Sequence, residues 1–91
     1  MKISILLPYK ENYSDEYPGA VSLFVSSHVK ISKYRNDITV YGSTRFKKFL
    51  SKNYKNINLR KNIFSSLTKQ YIDIFSKTQN DSVKLIEVHN R

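Results

Sequence analysis

The first half of the chain alternates between apolar and polar stretches in an order typical of a strand–helix–strand unit. These stretches predict a buried strand at 2–9, a polar loop at 10–18, a helix at 21–34 opened by Gly19 and Ala20, and a strand at 38–42. Two strands joined by a crossover helix run parallel, and open α/β sheets bind ligands beyond the carboxyl ends of their strands. We therefore expect a ligand site around residues 8–20.

The predicted first helix carries one apolar stripe at three- and four-residue spacing, which is the pattern of a face packed on a sheet. The stripe consists of Val21, Phe24, Val25 and Val29. His28 falls on the same stripe, so we interpret it as a packed core residue rather than a ligand. Ser22 and Ser26 fall mostly on the other faces.

The second half of the chain predicts one clear helix and two further strands. Residues 46–54 fit either a short basic helix or an irregular connection, and residues 57–59 predict a short third strand. The apolar face of the second helix consists of Phe64, Leu67, Tyr71, Ile74 and Phe75, with Asn62 as its N-cap. A last strand is predicted at Val83–Val88.

The order of these elements is that of half a doubly wound sheet. The predicted fold class is α/β, a Rossmann-like open parallel sheet with flanking helices. With 91 residues, the chain is expected to form a single partial domain. Arg91 would lie just past a central strand, where domains rarely stop, so we expect a longer protein to continue beyond it.

The composition and the apolar runs limit the cellular compartments and the kinds of metal site that fit the chain. There is no cysteine, which excludes disulfides and thiolate metal sites. The apolar stretch before Pro8 is too short for a signal-peptide core, and no run approaches the length of a membrane span. The sequence therefore predicts a cytoplasmic protein.

The formal net charge of +9 is unevenly distributed. No acidic residue occurs between Ile38 and Ile72, whereas Glu11, Asp15 and Glu16 cluster in the first loop. The basic residues of that interval are Arg45, Lys47, Lys48, Lys52, Lys55, Arg60, Lys61 and Lys69. Such a segment either attracts phosphate groups or is simply a solvated basic face.

Familiar α/β chemistries lack their motifs here. Gly19 is the only glycine before Gly42, so the glycine-rich dinucleotide turn is absent, and no Walker loop occurs. The two histidines stand alone, and no group of residues has metal-ligand spacing. What remains is a long loop with a glycine at the start of a helix, which leaves room for an approaching group.

Both ends of the chain resemble the amino-terminal domain of family 4 glycosyltransferases, which have the two-domain GT-B fold. The strand ending at Pro8-Tyr9, the Tyr17-Pro18-Gly19-Ala20-Val21 segment and the Asp37–Gly42 strand resemble the opening of that family. Ile86-Glu87-Val88-His89-Asn90 resembles its strand that ends in a valine-His-Asn signature. Two departures are that Ala20 stands where the family often has a second glycine, and that the carboxyl-terminal donor-binding domain is absent.

The resemblance implies a hexosyltransferase of the retaining type. Such an enzyme moves a sugar from a nucleotide-sugar co-substrate to a glycan or lipid-linked acceptor in cell-envelope polysaccharide synthesis, without a bound metal or other cofactor. It implies that Gly19 and Ala20 lie near the donor phosphates or the transferred sugar, and that His89, Asn90 and Arg91 face the acceptor. Tyr9, Lys10 and Glu11 begin the first loop and are further candidate acceptor contacts. No residue is singled out as catalytic, and the 91 residues alone are expected to be inactive.

Two other functions use the basic segment. Lys47, Lys48, Lys52 and Lys55 alternate with Phe46, Phe49 and Tyr54, as in modules that combine phosphate contacts with base stacking. The same segment could instead hold an enzyme against the anionic inner face of a membrane, near a lipid-borne acceptor. This last possibility is compatible with a transferase.

Overall fold

The computed structural model describes residues 2–60, 66–79 and 83–89. Its strands are β1 (Lys2–Leu6), β2 (Ile38–Gly42), β3 (Tyr54–Asn56) and β4 (Val83–Val88), and its helices are α1 (Ala20–Ile31) and α2 (Leu67–Thr78). A short 3₁₀ turn, Arg35–Asp37, leads into β2. The strands form one sheet in the order β3-β2-β1-β4, and every pairing is parallel. The predicted open parallel α/β sheet is thus confirmed.

The two helices cover opposite faces of the sheet. Ile3 and Ile5 of β1 share one apolar cluster with Val25 and Val29 of α1. Leu6, which points to the other face, shares a second cluster with the α2 residues Tyr71 and Phe75. This split follows from the strand, whose successive side chains point to opposite faces.

Strands β2 and β4 have the predicted bounds, whereas β1 and β3 do not. β1 ends at Leu6 rather than at Tyr9, because Pro8 has no N–H to continue the ladder. The third strand is Tyr54–Asn56 and not 57–59, and residues 46–53 contain no helix. Tyr54 determines this register because its ring is buried in the α1-side cluster.

The packed face of α1 differs from the predicted stripe. Its buried residues are Ser22, Val25, Ser26 and Val29. Phe24 is 57% exposed and His28 is also exposed, so the interpretation of His28 as a core residue is wrong. Small serine side chains face the sheet, and the larger rings of Phe24 and His28 stack on each other at 4.9 Å between centroids. The helix also ends at Ile31 and not at Tyr34, because Ser32 is extended.

Helix α2 buries the predicted Tyr71 and Phe75 but begins at Leu67. Its N-cap is Ser66, whose Oγ accepts a hydrogen bond from the Lys69 N–H at 3.1 Å. The predicted cap Asn62 and the predicted face residue Phe64 lie outside the described residues.

Strand β4 lies at an edge of the described sheet and not at its centre, in contrast to the sequence prediction. It pairs only with β1, and its Leu85, Ile86 and Val88 are about half exposed. An apolar run predicts a central strand that is buried on both faces. β4 is instead an edge strand, because β1 is its single strand neighbour in the described sheet.

Candidate ligand site at the carboxyl edge of the sheet

The direction of winding reverses at β1. From β1 the chain proceeds outward through β2 to β3, and then returns to place β4 on the opposite side of β1. The strands that follow β1 in the chain therefore lie on both sides of it in the sheet. In open α/β sheets such a point leaves a crevice at the carboxyl ends of the two strands, and ligands bind there.

A groove of about 740 Å³ lies over the carboxyl ends of β1, β2 and β3. Its walls come from the three segments that follow these strands and from the first residue of α2. The lining residues are Tyr9, Lys10, Asn12, Ser43, Thr44, Arg45, Asn56, Ile57, Asn58, Leu59 and Leu67. A volume of this size falls in the range of small-molecule sites, about 300–1,000 Å³.

A hydrogen-bonded network holds one wall of the groove in place. Thr44 Oγ1 lies 2.7 Å from Tyr54 Oη and accepts the Tyr13 N–H at 3.0 Å. Asn56 Oδ1 accepts from both Tyr54 Oη, at 2.9 Å, and the Thr44 N–H, at 2.7 Å. The rings of Tyr13 and Tyr54 stack at 5.0 Å between centroids. Through these contacts the long first loop is fastened to the ends of β2 and β3.

Burial keeps the tyrosines of this region neutral to high pH. Burial raises the pKa of Tyr54 from 10.0 to about 12, although hydrogen bonding with Thr44 opposes the shift. Burial also raises the pKa of Tyr13 and of Tyr71. The hydroxyl groups of these three tyrosines, which support the groove without lining it, therefore stay protonated at neutral pH.

Lys10 reaches the groove from a strained backbone position. Its φ is 70°, in the left-handed region that side chains other than glycine, asparagine and aspartate rarely occupy. Its Nζ lies 5.6 Å from the centre of the Tyr9 ring, within cation–π range. The two predicted acceptor contacts, Tyr9 and Lys10, thus lie together on the groove wall.

A second depression of about 320 Å³ adjoins Tyr9 on the α2 side of β1. It includes Tyr71, whose ring lies 5.7 Å from that of Tyr9 and whose Oη donates to the Leu7 carbonyl at 2.6 Å. It also includes His89. Because Tyr9 lines both depressions, they adjoin at this residue.

His89 lies at the carboxyl end of β4, as predicted. Its backbone N–H donates to the Leu6 carbonyl at 3.0 Å, and its Nε2 lies 2.6 Å from Glu87 Oε1. A carboxylate at this distance orients the imidazole ring. His89 also borders a smaller cavity of about 160 Å³, between α1 and β4, with Phe24 and His28. Asn90 and Arg91, the other two predicted acceptor residues, lie outside the described residues.

Glu11 occupies the start of α1, where Gly19 and Ala20 were expected to border donor phosphates. Its carboxylate Oε2 accepts the Ser22 N–H at 3.0 Å, and the side chain is 3% exposed. A Cβ added to Gly19 would overlap the Glu11 carboxylate. In this conformation the positive end of the helix is therefore satisfied by the chain's own carboxylate.

The aromatic residues of the basic segment do not form a common exposed surface. Tyr54 is buried, and the ring of Phe49 packs against it at 4.5 Å between centroids. Phe46 instead lies 6.0 Å from Tyr17, which is 83% exposed, with Arg45 over the Phe46 ring. Two of the three rings proposed for base stacking are therefore committed to packing.

Sequence reasoning missed most of the groove. Ser43, Thr44 and Arg45 directly follow β2, so their position after a predicted strand was a usable signal. Asn56 and Asn58 were not predicted as groove residues, because the sequence predicted the third strand three residues too late, at 57–59 instead of Tyr54–Asn56. Asn12 lies in the first loop, and its Oδ1 is buried without a hydrogen-bond partner in the described structure.

Comparison with known proteins adds no relative: no family model, curated protein or solved structure matches the chain. Across residues 2–60, 66–79 and 83–89, no group of three or more His, Cys, Asp or Glu residues is placed to hold a metal ion. Within the same residues, neither helix combines the length and apolar character that crossing a membrane requires.

Proposed function

We propose that the chain is the amino-terminal, acceptor-side part of a glycosyltransferase of the GT-B type. The enzyme moves a sugar from a nucleotide-sugar donor to a glycan or lipid-linked acceptor in cell-envelope polysaccharide synthesis. It works in the cytoplasm, peripherally at the inner face of the membrane. A second α/β domain of the same protein, beyond Arg91, supplies the donor site.

The observation that carries this proposal is the groove at the carboxyl edge of a parallel sheet wound in the order β3-β2-β1-β4. Tyr9 and Lys10 line it, and Tyr9 joins it to the depression that contains His89. A sugar acceptor needs several fixed hydrogen-bond partners, and the groove offers amides and hydroxyls of Asn12, Ser43 and Asn58.

The geometry suits acceptor binding better than donor binding. A nucleotide-sugar carries a pyrophosphate, and the start of α1 is the natural place for one. Because Glu11 fills that place, a donor phosphate would have to displace a buried carboxylate. The groove over β1–β3 is lined by no carboxylate of the described residues.

The test is sugar transfer by the natural gene product that contains residues 1–91. Incubation with radiolabelled nucleotide-sugars and a membrane lipid extract should produce a labelled glycan or lipid, whereas the 91-residue chain alone should give no turnover. Absence of transfer from every nucleotide-sugar, or turnover by the isolated chain, contradicts the proposal.

The alternative of a nucleic-acid-binding module is checked on the 91-residue chain itself. A binding module would shift a generic oligonucleotide at low salt and lose it steeply as salt rises. The discriminating result is a shift that persists at physiological salt; we expect none, because Phe49 and Tyr54 are packed and cannot stack on bases.

A further inference from the structure

The groove at the carboxyl edge carries positive charge without internal compensation. Lys10 and Arg45 both line it, both are exposed, and neither pairs with a carboxylate among the described residues. Each lies over an aromatic ring instead: Lys10 over Tyr9 at 5.6 Å, and Arg45 over Phe46 at 5.8 Å to the ring centre. Two cationic residues without a carboxylate partner among the described residues therefore line the groove.

The acidic residues nearest in sequence are engaged away from the groove. Glu11 follows Lys10 directly, but its carboxylate accepts the Ser22 N–H at the start of α1. Asp15 lies 3.7 Å from Lys48 Nζ, which does not line the groove. Neither Glu11 nor Asp15 lines the groove, whereas Lys10 does.

The backbone is in the left-handed region at Lys10, as it is at Tyr17, but of these two residues only Lys10 lines the groove. A left-handed backbone position disfavours lysine, whereas glycine or asparagine would adopt it readily. Residues held in such conformations cluster at ligand sites. With this left-handed backbone, the Lys10 side chain lies on the groove wall.

Two further features of the groove complement an anion that also carries hydroxyl groups. Leu67, the first residue of α2, lines the groove, and the first turn of α2 contains no acidic residue that would repel an anion. Asn12 also lines the groove, and its Oδ1 has no donor in the described structure.

We propose that this groove binds a phosphate group carried by the sugar acceptor, with Lys10 and Arg45 as its cationic contacts. The acceptor role rests on the proposed function, whereas phosphate binding is a property of this chain alone. The phosphate belongs either to a lipid-linked acceptor or to a soluble sugar phosphate. Both present the same group to the groove.

The test is a titration of the ¹⁵N-labelled 91-residue chain, followed by amide chemical shifts. The probes are farnesyl phosphate, farnesol and glucose 1-phosphate, each added separately. We expect both phosphates to shift the amides of Lys10, Arg45 and Asn58, and farnesol to leave them unchanged. If farnesyl phosphate binds more tightly than glucose 1-phosphate, the phosphate belongs to a lipid-linked acceptor. If glucose 1-phosphate binds as tightly or more tightly, the phosphate belongs to a soluble sugar phosphate. Both results support the proposal.

Three variants make the test specific. Lys10→Asn keeps a residue that tolerates the left-handed backbone, and Arg45→Gln keeps a polar side chain of similar length. Each should weaken phosphate binding about tenfold, as expected for loss of one charge-assisted contact. Lys33→Gln is the matched control, because it removes an exposed charge from the opposite, amino-terminal edge of the sheet.

The proposal is overturned by three results: phosphate shifts centred on Lys47–Lys55 instead of the groove, equal weakening by the control, or equal binding of farnesol. The outcome does not depend on the proposed function. Phosphate binding without sugar transfer by the natural gene product would contradict only the proposed transferase function. Sugar transfer without phosphate binding in the groove would contradict only the inference about the phosphate.

Discussion

Gly19 is the position where one added methyl group tests the structure most sharply. Its φ of −76° and ψ of 161° are favourable for any residue, so alanine causes no backbone strain there. The added Cβ would nevertheless overlap the Glu11 carboxylate, which is buried and accepts the Ser22 N–H at 3.0 Å. In Gly19→Ala the carboxylate must therefore move, and we expect it to lose its hydrogen bond with the Ser22 N–H.

The expected cost follows from what Glu11 does there. A hydrogen bond to a charged group contributes about 1.5–3 kcal/mol. Its interaction with the positive end of the helix adds about 0.3–1 kcal/mol. Alanine restricts the unfolded chain, which offsets about 0.4–1 kcal/mol. We expect Gly19→Ala to lower the free energy of unfolding by about 0.8–3.6 kcal/mol.

Urea unfolding followed by far-UV circular dichroism measures this cost, and a double-mutant cycle with Glu11→Ala assigns it. Once the Glu11 side chain is removed, Gly19→Ala should be neutral or slightly stabilising, so the two substitutions should couple by about the cost of Gly19→Ala alone. The account of this helix start is refuted if Gly19→Ala unfolds at the wild-type urea concentration, or if its cost persists without Glu11.

Three further predictions concern the groove and its supports. Lys10→Gly relieves the strain of a left-handed backbone, about 1–2 kcal/mol, but glycine has greater freedom in the unfolded chain, which costs about 0.5–1 kcal/mol. Urea unfolding should therefore show equal or slightly higher stability. Clear destabilisation would mean that the Lys10 side chain stabilises the fold. Tyr71→Phe removes the donor to the buried Leu7 carbonyl and should lower the free energy of unfolding by about 1–3 kcal/mol, whereas an unchanged value would show that this 2.6 Å bond is absent in solution. For Tyr54, whose pKa of about 12 exceeds the 10.0 of the unfolded chain, the unfolded state loses its proton first, so stability should be full below pH 10.0 and fall as the pH rises towards 12. Tyr54→Phe should flatten that fall, and an identical pH dependence in the variant would contradict the assignment.

The elements that the sequence predicted well are those bounded by clear chemical signals. Ile38–Gly42 and Val83–Val88 are apolar runs flanked by turn residues, and both match the structure. By contrast, the face of α1 was mispredicted because apolar periodicity selects Phe24, while the sheet accepts the smaller Ser22 and Ser26. Side-chain size at a helix–sheet contact is decided by the partner surface, which no local pattern reports.

The candidate site was only partly accessible to sequence reasoning for a similar reason. Tyr9 and Lys10 could be found because they directly follow the first strand. Thr44 and Asn56 could not be paired from the sequence, because their contact depends on the register that buries Tyr54 beside Val40. The role of Glu11 at the start of α1 likewise depends on how the long first loop folds back.

The most direct measurement of the central claim is a comparison of acceptor and donor KM in the natural gene product. If the carboxyl-edge groove holds the acceptor, Arg45→Gln should raise KM for the acceptor several-fold, leave KM for the nucleotide-sugar unchanged, and differ from Lys33→Gln, which should match wild type. A change confined to the nucleotide-sugar KM would contradict the account, as would wild-type kinetics in Arg45→Gln.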